Sequence, residues 1–329
     1  AAEYWFPGTR ELGVQQPEAD DEPYIHHFPD GNAGVARALV RDLVPEAIPG
    51  TTMQDLVTAR ADYSLLDHDD SDVQIRLSST AVDVRHGANG KFVDVTYVRD
   101  GEPYRARARH TVLACYNNVI PHICTEVPES QAEAIRYATK IPFVKASIAI
   151  RNWQAFADAG FFAMYSPGDF YFKHMYLDFP VSMGDYRYSE GPDEPIVISA
   201  WYSPTTRGLP AKDQYRAGRA RLLEMSFGDF EQNIYGHLDG MLGGSGFDAE
   251  REIAAITLNR WPHGYAYEFE GVGVPLEYDR YNGPHIRGRA QIGRISIANS
   301  DSEAYAYVNG AIDAADRAVN EQLSQVESL

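Results

Sequence analysis

The sequence has little sulfur and no long apolar run. Two cysteines, Cys115 and Cys124, in 329 residues exclude a disulfide framework. Both read as buried thiols that pack as small hydrophobes. No stretch of about twenty apolar residues occurs, which excludes a membrane-spanning helix. Basic residues are scarce: 29 Lys and Arg stand against 47 Asp and Glu, a formal net charge of −18. That balance disfavours nucleic acid and anionic membranes as partners and suits a cationic ligand. The opening residues Ala1 to Pro7 have no basic region and no apolar core, so they do not read as a secretory leader.

What is present is enough for a large core. The chain is 44% hydrophobic and 12% aromatic, the length of one large domain or two ordinary ones. Tyrosine alone contributes 21 residues. A tyrosine packs its ring and still presents a hydroxyl, which suits a ligand tunnel as well as an ordinary core.

In order along the chain, the first two dozen residues are rich in Pro, Asp and Glu and read as a loop. Phe28-Pro29-Asp30-Gly31-Asn32-Ala33-Gly34 leads into a helix through Val35, Leu39, Val40 and Leu43 that stops before Pro45. Val73–Leu77 and Thr80–Val84 read as a strand pair, and Phe92–Val98 with Tyr104–Arg109 as a hairpin turning at Asp100-Gly101. Thr111–Cys115 is a continuous apolar run of the parallel-sheet kind. A helix starts near Glu129, and Phe143–Ile150 is a strand carrying Lys145 among apolar residues. Lysine is almost never buried unpaired, so Lys145 is either functional or an outward residue on an edge strand. Ile196–Tyr202 is a further strand, and one amphipathic helix is expected over about Ala211–Gly236. Gly243 to Gly246 reads as a loop before a helix at Ala249.

Two stretches near the end carry the chemistry. The first is Asn259-Arg260-Trp261-Pro262-His263-Gly264-Tyr265-Ala266-Tyr267. The second is Gly293-Arg294-Ile295-Ser296-Ile297-Ala298-Asn299-Ser300-Asp301, continued by Tyr305-Ala306-Tyr307-Val308-Asn309-Gly310-Ala311. There a buried strand over Ile295–Ala298 runs through a small-residue loop into a helix, and N–H groups at such a helix start favour an electron-rich ligand. Ile312, Ala315, Val319 and Leu323 recur at helical spacing with charges on the other faces.

This ordered set resembles the C-terminal portion of the FAD-dependent amine oxidases, the family of monoamine and polyamine oxidases. The resemblance runs from Tyr24 onward. It implies an α/β fold: a partial Rossmann-like FAD-binding domain over about 20–122 and 280–329, and a mixed-sheet substrate domain over 123–279. It implies that Asp301 holds the ribityl chain of FAD, that the Val308 N–H faces the flavin pyrimidine, and that Val82 gives its backbone to the adenine. By the same resemblance Ala114, at the end of a flavin-domain strand, and Asn299 are further cofactor-binding candidates. Lys145 would reach flavin N5 through a water, Trp261 would pack by the isoalloxazine, and Tyr307 with Tyr265 or Tyr267 would form an aromatic cage. Asn299 departs from the family pattern, which has Gly there. His263 is open between a proton relay and a structural role. The wording Arg260 to Ala266 is most similar to the bacterial spermidine dehydrogenases, which implies a polyamine substrate, a periplasmic location with a cytoplasmic one as the alternative, and haem b besides FAD, with no haem ligand assigned. An L-amino-acid oxidase and a non-catalytic remnant of the fold are the rival readings.

A dinucleotide-binding unit needs Gly-x-Gly-x-x-Gly after a first strand. No segment satisfies this, and Gly271-Val272-Gly273-Val274-Pro275 has the wrong continuation. The chain is therefore expected to act with that missing unit, as the N-terminal part of the same enzyme or as a complementary subunit.

Overall fold

The computed structural model describes residues 28–266 and 281–326. The opening loop, Tyr267 and the stretch Gly271–Pro275 lie outside the described residues. The chain divides into two compact units, the smaller made of residues up to Ile75 with Met183–Tyr186 and the larger of the remainder.

In the smaller unit, α1 (Ala33–Leu43) ends at Val44, directly before Pro45, and α2 (Met53–Thr58) opens on a capping box made by Thr52 and Asp55. Val44, Ala47 and Leu66 form its buried cluster. Arg37 donates to the carbonyls of Leu56 and Ala59, both at 2.7 Å, so the orphan carbonyls ending α2 are met by a guanidinium from α1. Val73–Leu77 is irregular and pairs with nothing as a strand, contrary to the expectation from its alternation. The alternating pattern has no neighbouring strand to complete it.

The larger unit holds three sheets. Strands β1 (Thr80–His86), β2 (Val93–Arg99) and β3 (Glu102–Ala108) form an antiparallel meander. The β2–β3 turn is Asp100-Gly101, with φ of 52° and 83°, the left-handed pair that a two-residue hairpin turn requires. Strand β4 (Thr111–Leu113) follows, and the short helix α3 (Ile120–Ile123) and α4 (Glu129–Arg136) lead to β5 (Phe143–Ile150). Then come α5 (Gln154–Ala159), β6 (Ala163–Tyr165), β7 (His174–Leu177) and β8 (Ile196–Tyr202). The helix expected over 211–236 is two, α6 (Ala211–Glu224) and α7 (Phe227–Leu242). Ser226 breaks it by capping α7 in a reciprocal box with Asp229, a start signal stronger than the continuing apolar pattern. Helix α8 (Ala249–Glu252), β9 (Ile253–Trp261), α9 (Pro284–Gly288), β10 (Ile295–Ile297), α10 (Ser300–Glu303) and α11 (Val308–Val326) complete the chain.

Strands β6-β7-β8-β5-β9 make one antiparallel sheet. Val144, Ala146, Ile148 and Ile150 of β5 point to one face, where Phe230, Ile234, Leu238 and Leu242 of α7 cover them. Burying each such large side chain is worth roughly 1.5–3 kcal/mol, so this layer is the main core. Strand β10 pairs parallel with β4, Ile295 opposite Thr111 and Ile297 opposite Leu113, and Val84 and Val93 join them in one buried cluster. Residues from the C-terminal strand thus pack against the segments near 84 and 113. Cys124 is fully buried but Cys115 is exposed, and both are free, so the expectation of two buried thiols holds for one. No helix among the described residues is long and apolar enough to cross a membrane.

Candidate active site

Asp301 sits in the first turn of α10 with 5% of its surface exposed. Lys140 Nζ lies 2.5 Å from its Oδ1, and Lys140 is itself buried. The contact is an ion pair; no donor with ordinary hydrogen-bond geometry reaches Oδ1 among the described residues. The Asn117 N–H donates to Oδ2 at 3.2 Å. Asn299, the residue that departs from the family pattern, braces this corner. Its Oδ1 accepts from the N–H groups of Asp301 and Ser302, at 2.7 and 3.3 Å, and its Nδ2 donates to Asn117 Oδ1 at 2.9 Å and to the Cys115 carbonyl. One side chain both caps α10 and ties it to the chain leaving β4.

A second row of contacts runs outward from Lys140. Its ammonium lies 4.3 Å from the centroid of the Tyr116 ring, and His263 stacks on that ring at 4.5 Å. Arg219 of α6 donates to His263 Nδ1, which leaves the imidazole proton on Nε2. Burial, with the nearby Arg219 and Lys140 charges, holds His263 below the usual histidine range and so neutral. Burial raises the Tyr116 phenol in the same way. The stretch around 259–265 and the stretch around 299–301 are therefore joined by Tyr116 and Lys140.

Lys145 is on an interior strand of its sheet, paired with Trp201 on β8 and Asn259 on β9, which removes the edge-strand reading. It belongs to the face opposite the core. Directly across the five strands on that face run Tyr165, His174, Trp201, Lys145 and Asn259. Lys145 Nζ lies 5.3 Å from the Trp201 ring centroid. Phe143 stacks between Trp201 at 4.8 Å and Trp261 at 5.4 Å, and Tyr265 meets it edge-on at 6.4 Å. Trp261 and Tyr265 are 43% and 53% exposed, so an aromatic surface with one lysine stands open beside the buried corner. The Gly264 N–H donates to the Ile141 carbonyl at 2.7 Å, holding the two segments together.

Val308 is the first residue of α11, and Tyr307 just before it is 59% exposed with its ring 5.1 Å from that of Tyr305. A Cβ on Gly310 would come within 2.8 Å of the Tyr305 ring, so this loop closes onto the helix only over a glycine. Ala114 is exposed at the end of β4. Val82 falls in a β-bulge, without a register partner on β2, and β1 is an edge strand. Tyr267 lies outside the described residues.

The apolar stripe of α11 does not turn inward. Ile312, Val319 and Leu323 are 58%, 51% and 55% exposed, while Ala314 and Ala318 are fully buried. The inward face is polar: Arg317 donates to the Ile297 carbonyl at 2.6 Å and to Glu321 at 2.5 Å, and Ser296 links Glu321 and Gln322 at 2.7 Å each. Reasoning from sequence also missed Lys140, Tyr116, Asn117 and Arg219. A lysine just before Ile141-Pro142 carries no periodicity that marks it as buried, and its partner is distant in sequence.

No protein-family model and no curated protein matches the chain. Among solved structures, cyclohexylamine oxidase from Brevibacterium oxydans IH-35A is similar over 75% of this chain and 48% of its own, with a TM-score of 0.50 and 14% identity. A triple mutant of putrescine oxidase redesigned in cofactor binding is similar over the same shares, with a TM-score of 0.48 and 16% identity. The chain has a partial amine-oxidase-type α/β fold. It spans about half the length of the oxidases it resembles.

Proposed function

We propose that this chain carries the substrate-facing half of an FAD-dependent amine oxidoreductase, with a flavin-holding part over 20–122 and 280–329 and a substrate part over 123–279. One observation carries the reading: the Asp301 corner and the open aromatic surface of Trp261 and Tyr265 are joined through Tyr116, His263 and Lys140. A buried carboxylate beside an exposed aromatic wall provides a hydroxyl acceptor next to a flat apolar surface, the two needs of a flavin and its ribityl chain. Asp301 Oδ1, with acceptor capacity left over, fits that group. The backbone of Val82, in a bulge of an edge strand, is the part assigned to an adenine edge. FAD, when bound, supplies a hydride acceptor at N5.

The substrate of this reading is an amine, and more narrowly a polyamine such as spermidine. Tyr265, Trp261 and Tyr307 offer π-faces to a cation, each worth about 0.5–2 kcal/mol. Asp178, half-buried at the end of β7 and continuing the alternation of His174 and Tyr176, is the carboxylate best suited to a distal ammonium. Asp169, exposed in the loop between β6 and β7, and Asp185 are the other candidates. Lys145 orients a water near the reacting centre. Neutral His263, with its Nδ1 taken by Arg219, offers its Nε2 proton as a hydrogen-bond donor.

The partner is a dinucleotide-binding unit carrying the Gly-x-Gly-x-x-Gly loop that this sequence lacks. Among the described residues β4 pairs only with β10, which leaves its other edge open to a parallel strand. The location of this reading is the periplasm, and fractionation to the cytoplasm would count against it. Reduction of bound FAD by spermidine, putrescine, a monoamine or an amino acid, without oxygen, tests the function.

A further inference from the structure

The corner around Asp301 encloses a cavity of about 20 Å³, lined by Tyr116, Asn117, Asn118, Tyr137, His285 and Asp301 among others. That is room for a single water or hydroxyl. Among the described residues the buried Asn118 Oδ1 has no hydrogen-bond partner, and Asp301 Oδ1 has only the Lys140 ammonium. Buried acceptors are costly to leave unmet, so the corner calls for a hydroxyl donor. Asp301 Oδ1 has Lys140 Nζ at 2.5 Å, while Oδ2 is held by the Asn117 N–H. Lys140 in turn is kept in place by the Tyr116 ring under its ammonium.

We propose that Lys140 is a positioning residue of the cofactor site, holding the Asp301 carboxylate in one orientation so that, with Asn118, it receives a hydroxyl of a polyol chain. The inference rests on the reading that Asp301 meets the ribityl chain of a flavin. An ammonium at one carboxylate oxygen neutralises a charge that would otherwise be stranded in a dry corner. It also leaves lone pairs on that oxygen for a second donor. Tyr116 and His263 complete the wall without competing for the carboxylate, since Asn118 Nδ2 donates to the Tyr116 hydroxyl at 2.7 Å and Arg219 occupies His263 Nδ1.

The test compares two probes: riboflavin, which has the ribityl chain, and lumiflavin, which has the same ring system without it. Their affinities are measured by fluorescence quenching on the chain and on Lys140→Met, Lys140→Arg and Asn118→Ala, with melting curves to verify folding. The wild-type chain is expected to hold riboflavin at least tenfold tighter than lumiflavin. Lys140→Met is expected to erase that preference and leave lumiflavin affinity unchanged, Lys140→Arg to restore it within about threefold, and Asn118→Ala to lose part of it. Should Lys140→Met fold poorly, Lys140→Gln, which removes the charge and keeps a polar side chain, is expected to show the same loss of preference. A wild type without the preference overturns the reading of Asp301, and this inference with it. A wild type with the preference, kept in Lys140→Met or in Lys140→Gln, overturns the role of Lys140 alone.

Discussion

Ala314 and Ile312 lie two residues apart on α11 and face opposite ways: Ala314 is fully buried against Ala298 and Ala318, and Ile312 is 58% exposed. The helix presents its small and polar residues to β10. Enlarging Ala314 to Leu should overpack the contact and cost about 1–3 kcal/mol. Val319→Glu should change stability by no more than about 0.5 kcal/mol. Urea unfolding of both variants checks the orientation; equal losses would contradict it.

That orientation marks the limit of what was legible in the sequence. The turn at Asp100-Gly101, the strand of Lys145, and the strand and helix flanking Asp301 follow from local signals and are found. The expected loop between that strand and helix holds the short helix α10, which carries Asp301. The inward face of α11 does not follow from local signals, because it is decided by partners distant in sequence: Arg317 meets the Ile297 carbonyl and Gln322 meets Ser296. Buried polar networks invert the usual inference from an apolar stripe. Lys140 was missed for the same reason, its carboxylate partner being on α10. The break at Ser226 was readable, since Ser followed three residues later by Asp is a helix start.

The Lys140–Asp301 pair should behave as a coupled unit in stability. Removing either charge alone, as Lys140→Met or Asp301→Asn, leaves its partner buried and should cost about 3–5 kcal/mol. The double variant should cost less than the sum of the two. A double-mutant cycle by chemical denaturation measures the coupling, and simple additivity would contradict a buried pair.

His237 makes the protein sensitive to mild acid. It is fully buried, stacks on Phe170 at 4.1 Å, has Nε2 2.5 Å from Ser166 Oγ, and burial lowers it to about 4, with Lys173 adding to the shift. The folded state refuses a proton that the unfolded chain takes up below its ordinary value near 6.5. Its contribution is therefore intact above that value and is lost as pH falls from about 6.5 through 4, up to about 3 kcal/mol. His237→Gln should flatten the drop between neutral pH and pH ~4. His174 and His263, also lowered by burial, should contribute in the same direction. A variant with an unchanged pH–stability profile would remove His237 from the account.

Lys145 stands over Trp201 on an interior strand of its sheet, beside the open aromatic surface. Lys145→Met should leave FAD bound and slow flavin reduction or reoxidation by about tenfold or more. Stopped-flow rates equal to wild type would sink this role.

The central claim, that this chain oxidises an amine on FAD, is tested most directly by anaerobic reduction. The chain, purified with the dinucleotide-binding unit it is proposed to need and loaded with FAD, is mixed separately with spermidine, putrescine, a monoamine and an amino acid. The visible absorbance of the oxidised flavin is followed after each mixing. Bleaching by the amines, fastest with a polyamine and faster as pH rises toward the amine's own pKa, is the expected result. Bleaching by the amino acid alone, or by none of them while FAD stays bound, would contradict it.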